Sequence, residues 1–367
     1  MITPLSEQIE AAEIVLPGAE LDASLRFFTE RLGFKVEAIF PADAPAVAVI
    51  SGHGLRIRLE RDGTGAPGRL RLKCRDPARV ADGATSLTAP NGTRIDLVAA
   101  DPPLTLPPLR PSFVVSRMGD DARWGVGRAG MRYRDLIPDR QGGRFIASHI
   151  LIPEGGDVPD YVHFHKIRFQ MIYCRKGWVR VVYEDQGPSF VMAAGDCVLQ
   201  PPQIRHRVLE SSAGLEVIEI GCPAEHETAA DSALELPNAK LNPARRFDGQ
   251  RFVRHVASQA VWHPWRLPGF ECRDISISAA TDGLADVHVV RPRGTSAPQS
   301  SQHNGELQFM FVLDGSLSLH RDGHDAQALA AGDAFVMPAG MRHTLADCTA
   351  DLQLLEVTLP HQRDAET

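Results

Sequence analysis

The stretch Gly195–His206, GDCVLQPPQIRH, returns late in the chain as Gly332–His343, GDAFVMPAGMRH. Two further blocks repeat in the same order upstream of each copy. MIYCRKGWVRVVY (171–183) aligns with FMFVLDGSLSLHR (309–321), and ASHILIPEGG (147–156) aligns with DVHVVRPRGT (286–295). Three matched blocks in one order imply two tandem copies of a single supersecondary unit. Within the copies, short β-rich runs are punctuated by PEGG, DQG, LDGS and RDGHD, and the chain holds 27 prolines and 31 glycines. Such punctuation marks hairpins, so the expectation is two β-barrels joined around residues 224–250.

The first copy carries a histidine pattern that strand geometry makes interpretable. Alternate residues of a strand share a face, so His163 and His165 of YVHFH project together while Phe164 faces the other way. A short turn then brings in Gln170, Gly177 makes a hairpin, and His206 closes the segment that begins at Gly195. In a small closed barrel these strands face one interior, where three imidazoles and one carboxamide oxygen can converge on a cation. Imidazole suits Zn, Fe, Ni, Cu and Mn alike, so the ligand types alone do not choose the metal.

The spacing HxH-x4-Q-x6-G followed by G-x5-P-x4-H resembles the two motifs of the cupin superfamily. That resemblance covers roughly residues 130–360 and places His163, His165, Gln170 and His206 at the four metal-ligand positions. Gln170 stands where the family usually has glutamate, and Gln203 replaces the glycine of the second motif. In the second copy GDAFVMPAGMRH matches the second motif fully and supplies His343. Its first motif is weaker, with Ser301 and His303 in place of HxH and Gln308 in place of glutamate. His303, Gln308 and His343 therefore form a second candidate ligand set. His149 and His288 are read as repeat-equivalent, and His149 and Tyr173 as candidate groups beside the first metal.

The first hundred residues differ in texture. An apolar strand at Ile14–Leu16 precedes a helix whose Leu21, Leu25, Phe28 and Leu32 form one stripe, stopped at Gly33. Strands are expected at 35–40, 46–50 and 55–60. The order β-α-β-β-β, with LDASLRFFTERLGFKV, resembles the vicinal oxygen chelate (glyoxalase/bleomycin-resistance) family. Of a second module only GRLRLKC and PNGTRIDLVA are visible. That alignment puts Glu13, Glu60 and Asp96 near the family's ligand positions, but Arg69 where a histidine is expected, which favours an accessory role. DPPLTLPPLRPS (101–112) holds five prolines and reads as an extended linker. The expected fold is thus mainly β. A small α+β vicinal-oxygen-chelate-like domain (1–100) and a proline-rich linker (101–128) precede two tandem cupin (double-stranded β-helix, jelly-roll) barrels, 129–232 and 233–367.

A net charge of −7 argues against nucleic acid or an anionic membrane as partner. No apolar run approaches the ~20 residues that cross a bilayer, and the first residues lack the pattern of a secretory leader. Six scattered cysteines without a CxxC pair fit a reducing compartment, so a cytoplasmic location is expected, with a homodimer as the expected assembly. GVGRAG (125–130) lacks the strand–helix frame of a nucleotide site. The expected partner is a small molecule. The first function considered is a non-haem dioxygenase, with Fe(II) as the favoured ion, acting on an enolic, diketone or dihydroxy-aromatic substrate. The second is a Zn, Ni or Mn isomerase, cyclase or lyase using the ion as a Lewis acid, and the third a non-enzymatic small-ligand binder.

Overall fold

Each repeated block becomes a strand. The computed structural model describes residues 9–119, 123–127, 130–294 and 298–360. The first eight residues, and Arg128 and Ala129 of GVGRAG, lie outside that range. The chain divides into two compact units, 1–103 and 104–367.

In the second unit each repeat builds two antiparallel sheets that face one another as a jelly-roll barrel. In the first repeat the longer sheet runs Val253–His255, Cys197–Leu199, Phe169–Lys176, Leu215–Cys222, Ile146–Ile152, Arg132–Asp135 and Gly125–Val126. The facing sheet runs Phe190–Ala193, Trp178–Tyr183, His206–Ser211, His163–His165 and Thr228–Ala230. The second repeat follows the same plan, with Phe270–Asp274, Asp286–Pro292, Gln353–Leu359, Leu307–Asp314 and Ala334–Val336 in the longer sheet. Opposite it lie Ser300–Ser301, His343–Ala346, Ser316–Arg321 and His324–Ala330.

Strand alternation then decides which residues meet. Ile150, Cys174, Val179, Val198 and Val217 pack inside the first barrel. Their neighbours Met171, Tyr173 and Ile218 point outward, where they join Phe309, Phe311 and Val357 of the second repeat in one shared core. Strand Leu307–Asp314 is buried on both faces through Leu313, which is why its Phe309–Leu313 portion reads as an unbroken apolar run.

The proline-rich segment does more than connect. The Arg110 amide donates to the Gln141 carbonyl (3.0 Å), and the Ser112 amide donates to Gln141 Oε1 (3.1 Å). Residues 114–116, read from sequence as linker, form a strand that pairs with Ala334–Val336 of the second barrel. Conversely, Val253–His255, which falls inside the expected second barrel of 233–367, pairs with Cys197–Leu199 of the first barrel instead and leads into the second. Each barrel thus borrows an edge strand from the segment leading into the other.

In the first unit, strand Ile14–Pro17 lies parallel to Leu55–Glu60, and the sheet order continues through Val47–Gly52 to Lys35–Phe40. The helical segment Leu21–Arg31 buries Leu21 and Phe28 against it. The second half keeps a three-stranded sheet of Arg69–Cys74, Arg94–Ala99 and Ser86–Thr88, with a helix of only four residues, Pro77–Val80. Among the described residues no helix is long and apolar enough to cross a membrane.

Candidate metal centre

His163 and His206 are direct partners in the strand register, and His165 follows on the same face. Their ring centroids lie 4.3 Å (His163–His206), 5.2 Å (His163–His165) and 5.3 Å (His165–His206) apart. One ligand atom from each falls within 4.8 Å of the other two. Three short hydrogen bonds orient the rings. His163 Nδ1 meets the Tyr161 carbonyl (2.8 Å), His206 Nδ1 meets the Ile204 carbonyl (3.0 Å) and His165 Nδ1 meets Thr228 Oγ1 (2.9 Å). A carbonyl oxygen only accepts, so the proton of His163 and of His206 sits on Nδ1 and the lone pair on Nε2. That is the tautomer a metal ligand needs, held by the partners that metal-bound histidines typically have. The chemistry of this donor set fits a divalent transition ion.

Gln170 lines the same cavity and donates from Nε2 to Glu219 Oε1 at 2.6 Å, so Oε1 is the atom it can offer to an ion. The cavity measures about 410 Å³. Its wall is mainly apolar, with Ile150, Ile172, Val179, Val181, Met192 and Val217 among the lining residues. Asp160, fully buried, lies 3.6 Å from His163 Nδ1 and accepts from the Val208 amide.

The second repeat brings the same positions together differently. Ser301 takes the place of His163, paired in register with His343, and its hydroxyl lies 3.2 Å from His343 Nε2. His303, aligned with His165, hydrogen-bonds the Met337 carbonyl through Nε2 (2.7 Å) and accepts the Gly305 amide at Nδ1. Both its nitrogens are thereby engaged by backbone, so the expected set His303, Gln308 and His343 is not assembled for an ion. The Gln–Glu pair is retained, since Gln308 donates to Glu356 at 3.0 Å. Here, however, Arg266 binds the second carboxylate oxygen at 2.7 Å and brings a fixed positive charge to the mouth of the barrel.

Residues 287–358 match the family model described as the cupin domain. That match lies within the second repeat. The fold likeness extends further. A crystal structure of protein Ylba from E. coli is similar with a TM-score of 0.52 at 14% identity, over 70% of this chain and 94% of that one. The oxalate decarboxylases of Lactobacillus farciminis, as its formate complex, and of Bacillus subtilis are also similar, at 15% and 14% identity. They cover 70% of this chain in both cases, and 87% and 77% of their own, with TM-scores of 0.49 and 0.47. Among curated proteins none matches.

Two expectations about the first barrel need correction. His149 and Tyr173 do not line the cavity, because their strands present Ser148, Ile150, Gln170 and Ile172 to it and turn the odd residues outward. Tyr173 joins the core between barrels. His149 is fully buried there, donating from Nε2 to Glu216 (2.9 Å) and accepting from Arg134 at Nδ1 (3.3 Å). Nor is His149 the counterpart of His288. Ser148 pairs opposite Glu219, whereas His288 pairs opposite Glu356. The blocks align one residue out of step in space, and in a strand that slip exchanges faces.

Several cavity residues carry no motif. Glu219, Tyr183 and Gln200 line the cavity, and so does His226, whose ring lies 5.3 Å from His165. The His226 Nδ1 meets the Pro223 carbonyl at 3.1 Å, the same anchoring as His163 and His206. Gln203, at the motif glycine, adopts φ 62° and Gly340 of the second barrel adopts φ 77°, so the left-handed turn is present in both. In the first unit each expected carboxylate is paired with arginine: Glu13 with Arg56 (3.1 Å), Glu60 with Arg58 (2.6 Å) and Asp96 with Arg69 and Arg94. Such pairing consumes the ligand oxygens. No described group in that unit gathers three metal-ligating side chains.

Proposed function

We propose that the first cupin barrel holds one divalent transition-metal ion on His163, His165, His206 and Gln170, and that the protein is a metal-dependent dioxygenase of small enolic, diketone or dihydroxy-aromatic substrates. The observation that carries this reading is the set of Nδ1 hydrogen bonds that turns three imidazoles onto one point. When bound, Fe(II) would supply Lewis acidity and one-electron chemistry at coordination positions open to substrate and O₂. All four ligands are neutral, so the ion keeps its full charge and favours an anionic, bidentate oxygen substrate. Ile150, Ile172 and Val217 exclude water from the substrate's body.

A second reading has a specific observation behind it. Glu219 places a carboxylate in the cavity, held through Gln170, where it can take a proton from a substrate carbon. Lewis-acid isomerisation or lyase chemistry then needs no change of oxidation state, and Zn, Ni or Mn serves. Oxygen uptake separates the two. Fe(II)-loaded protein consuming O₂ with a catechol or β-diketone panel supports the first reading. Oxygen-independent turnover by the zinc form would support the second, and a purified protein that retains no ion would sink both.

A further inference from the structure

Gln200 is an amide where the fold has no use for one. Only 1% of its surface is exposed, and its Oε1 accepts a 2.6 Å hydrogen bond from the Tyr183 hydroxyl. Its Nε2 is buried with no hydrogen-bond partner among the described residues. Tyr183 is itself fixed, stacked on His206 with ring centroids 5.5 Å apart and planes at 24°. Because Oε1 is committed to Tyr183, the orphaned N–H group is turned away from it, and Gln200 lines the cavity.

The second barrel shows what the position requires structurally. The Gln200 amide donates to the Gln170 carbonyl (2.9 Å), and the Met337 amide donates to the Gln308 carbonyl (3.0 Å), so the two residues occupy equivalent sites. Met337 is buried in an apolar core. Methionine satisfies this backbone, whereas a buried donor left unsatisfied costs free energy. Most of the remaining wall, including Met192, Leu215 and Val217, offers the amide nothing to bind.

We propose that Gln200 is the specificity-determining donor of the cavity, and that the substrate is a chelating molecule whose apolar body carries a carbonyl oxygen for Gln200 Nε2. The chelating end rests on the metal-centre reading above; the carbonyl contact does not. A site built to hydrogen-bond a polar group discriminates strongly against the analogue lacking it, because its own buried group is then left unpaired.

The test uses zinc-loaded protein, which is redox-inert, titrated calorimetrically with 4-acetylcatechol and 4-ethylcatechol. Two variants are compared with wild type. Gln200→Glu keeps the acceptor for Tyr183 but removes the donor, and Tyr183→Phe with Gln200→Met removes both partners. Wild type is expected to favour the acetyl compound over the ethyl one by about tenfold more than either variant does. Catechol acidity differs between the probes but is common to all three proteins, so it cancels from this ratio. An acetyl-to-ethyl ratio equal in wild type and variants overturns the proposal, as does failure of both catechols to bind zinc-loaded wild type. Acetophenone and ethylbenzene, titrated into metal-free protein, repeat the comparison without chelation. Loss of zinc with a surviving acetophenone preference would defeat the metal reading and spare Gln200.

Discussion

The two barrels share a topology and a buried Gln–Glu pair, yet one keeps an enclosed, mainly apolar cavity while the other packs its interior and leaves a pocket at its mouth. Side-chain volume explains the difference. Where the first barrel has Val179, Val181, Val198 and Gln200, the second has Leu317, Leu319, Phe335 and Met337. The first set lines or borders a cavity; the second closes a core that includes Val290, Leu329 and Leu354. The ligand face changes in step, since Ser301 replaces His163 and Arg266 neutralises Glu356. One copy of the scaffold thus keeps a cavity beside three converging imidazoles, while larger side chains fill the interior of the other.

The largest effect expected from that contrast is all-or-none. Elemental analysis should find one ion per chain in wild type and in His343→Ala, and none in His206→Ala. Loss of the ion from His343→Ala would put metal in the second barrel and break the comparison. A smaller effect should follow from making the first barrel resemble the second. Val181→Leu with Val217→Leu adds two methylenes to the cavity wall, which at about 0.8 kcal/mol each should raise stability by ~1–2 kcal/mol in denaturant melts while weakening catechol binding. Destabilisation with unchanged binding would mean that the cavity is not where the volume difference acts.

The smallest expected effect tests the seam between the barrels. Burial pushes the His149 pKa below its ordinary value, and the Glu216 hydrogen bond only partly offsets this. The nearby Arg134 guanidinium opposes a charged imidazole as well. Glu216 is pulled down to about 2 by its hydrogen bond from His149 and by Arg175, so its contribution persists well below neutral pH. An unfolded histidine takes up a proton near pH 6.5, and native His149 resists it. Stability is accordingly full above that pH and falls as the pH drops below it. Replacing His149 with Gln should make the decline in melting temperature between pH 7 and 5 shallower. An unchanged slope would assign the acid sensitivity to other buried histidines, such as His255.

What could be read from the chain alone followed local rules. HxH declares a shared face by strand alternation, and the Gly195–His206 block fixes where the third imidazole arrives. Glu219, His226 and Gln200 escaped because they reach the cavity from strands and turns whose placement depends on the whole barrel. The misplacement of His149 has the same root, since block similarity cannot detect a one-residue slip in space. His303 shows a further limit: it sits at a ligand position, and only the fold reveals that the Met337 carbonyl claims its Nε2. The family model, for its part, matches the copy with the intact GDAFVMPAGMRH block rather than the copy with the three converging imidazoles.

Because Val114–Ser116 completes the later sheet and Val253–His255 the earlier one, the halves are clasped reciprocally. A break anywhere between them would strip a flank from each and expose raw backbone donors and acceptors on both. The second copy is therefore no dispensable relic. It is the other hand of a handshake, and selection can erase its ligands only so long as it leaves the grip intact.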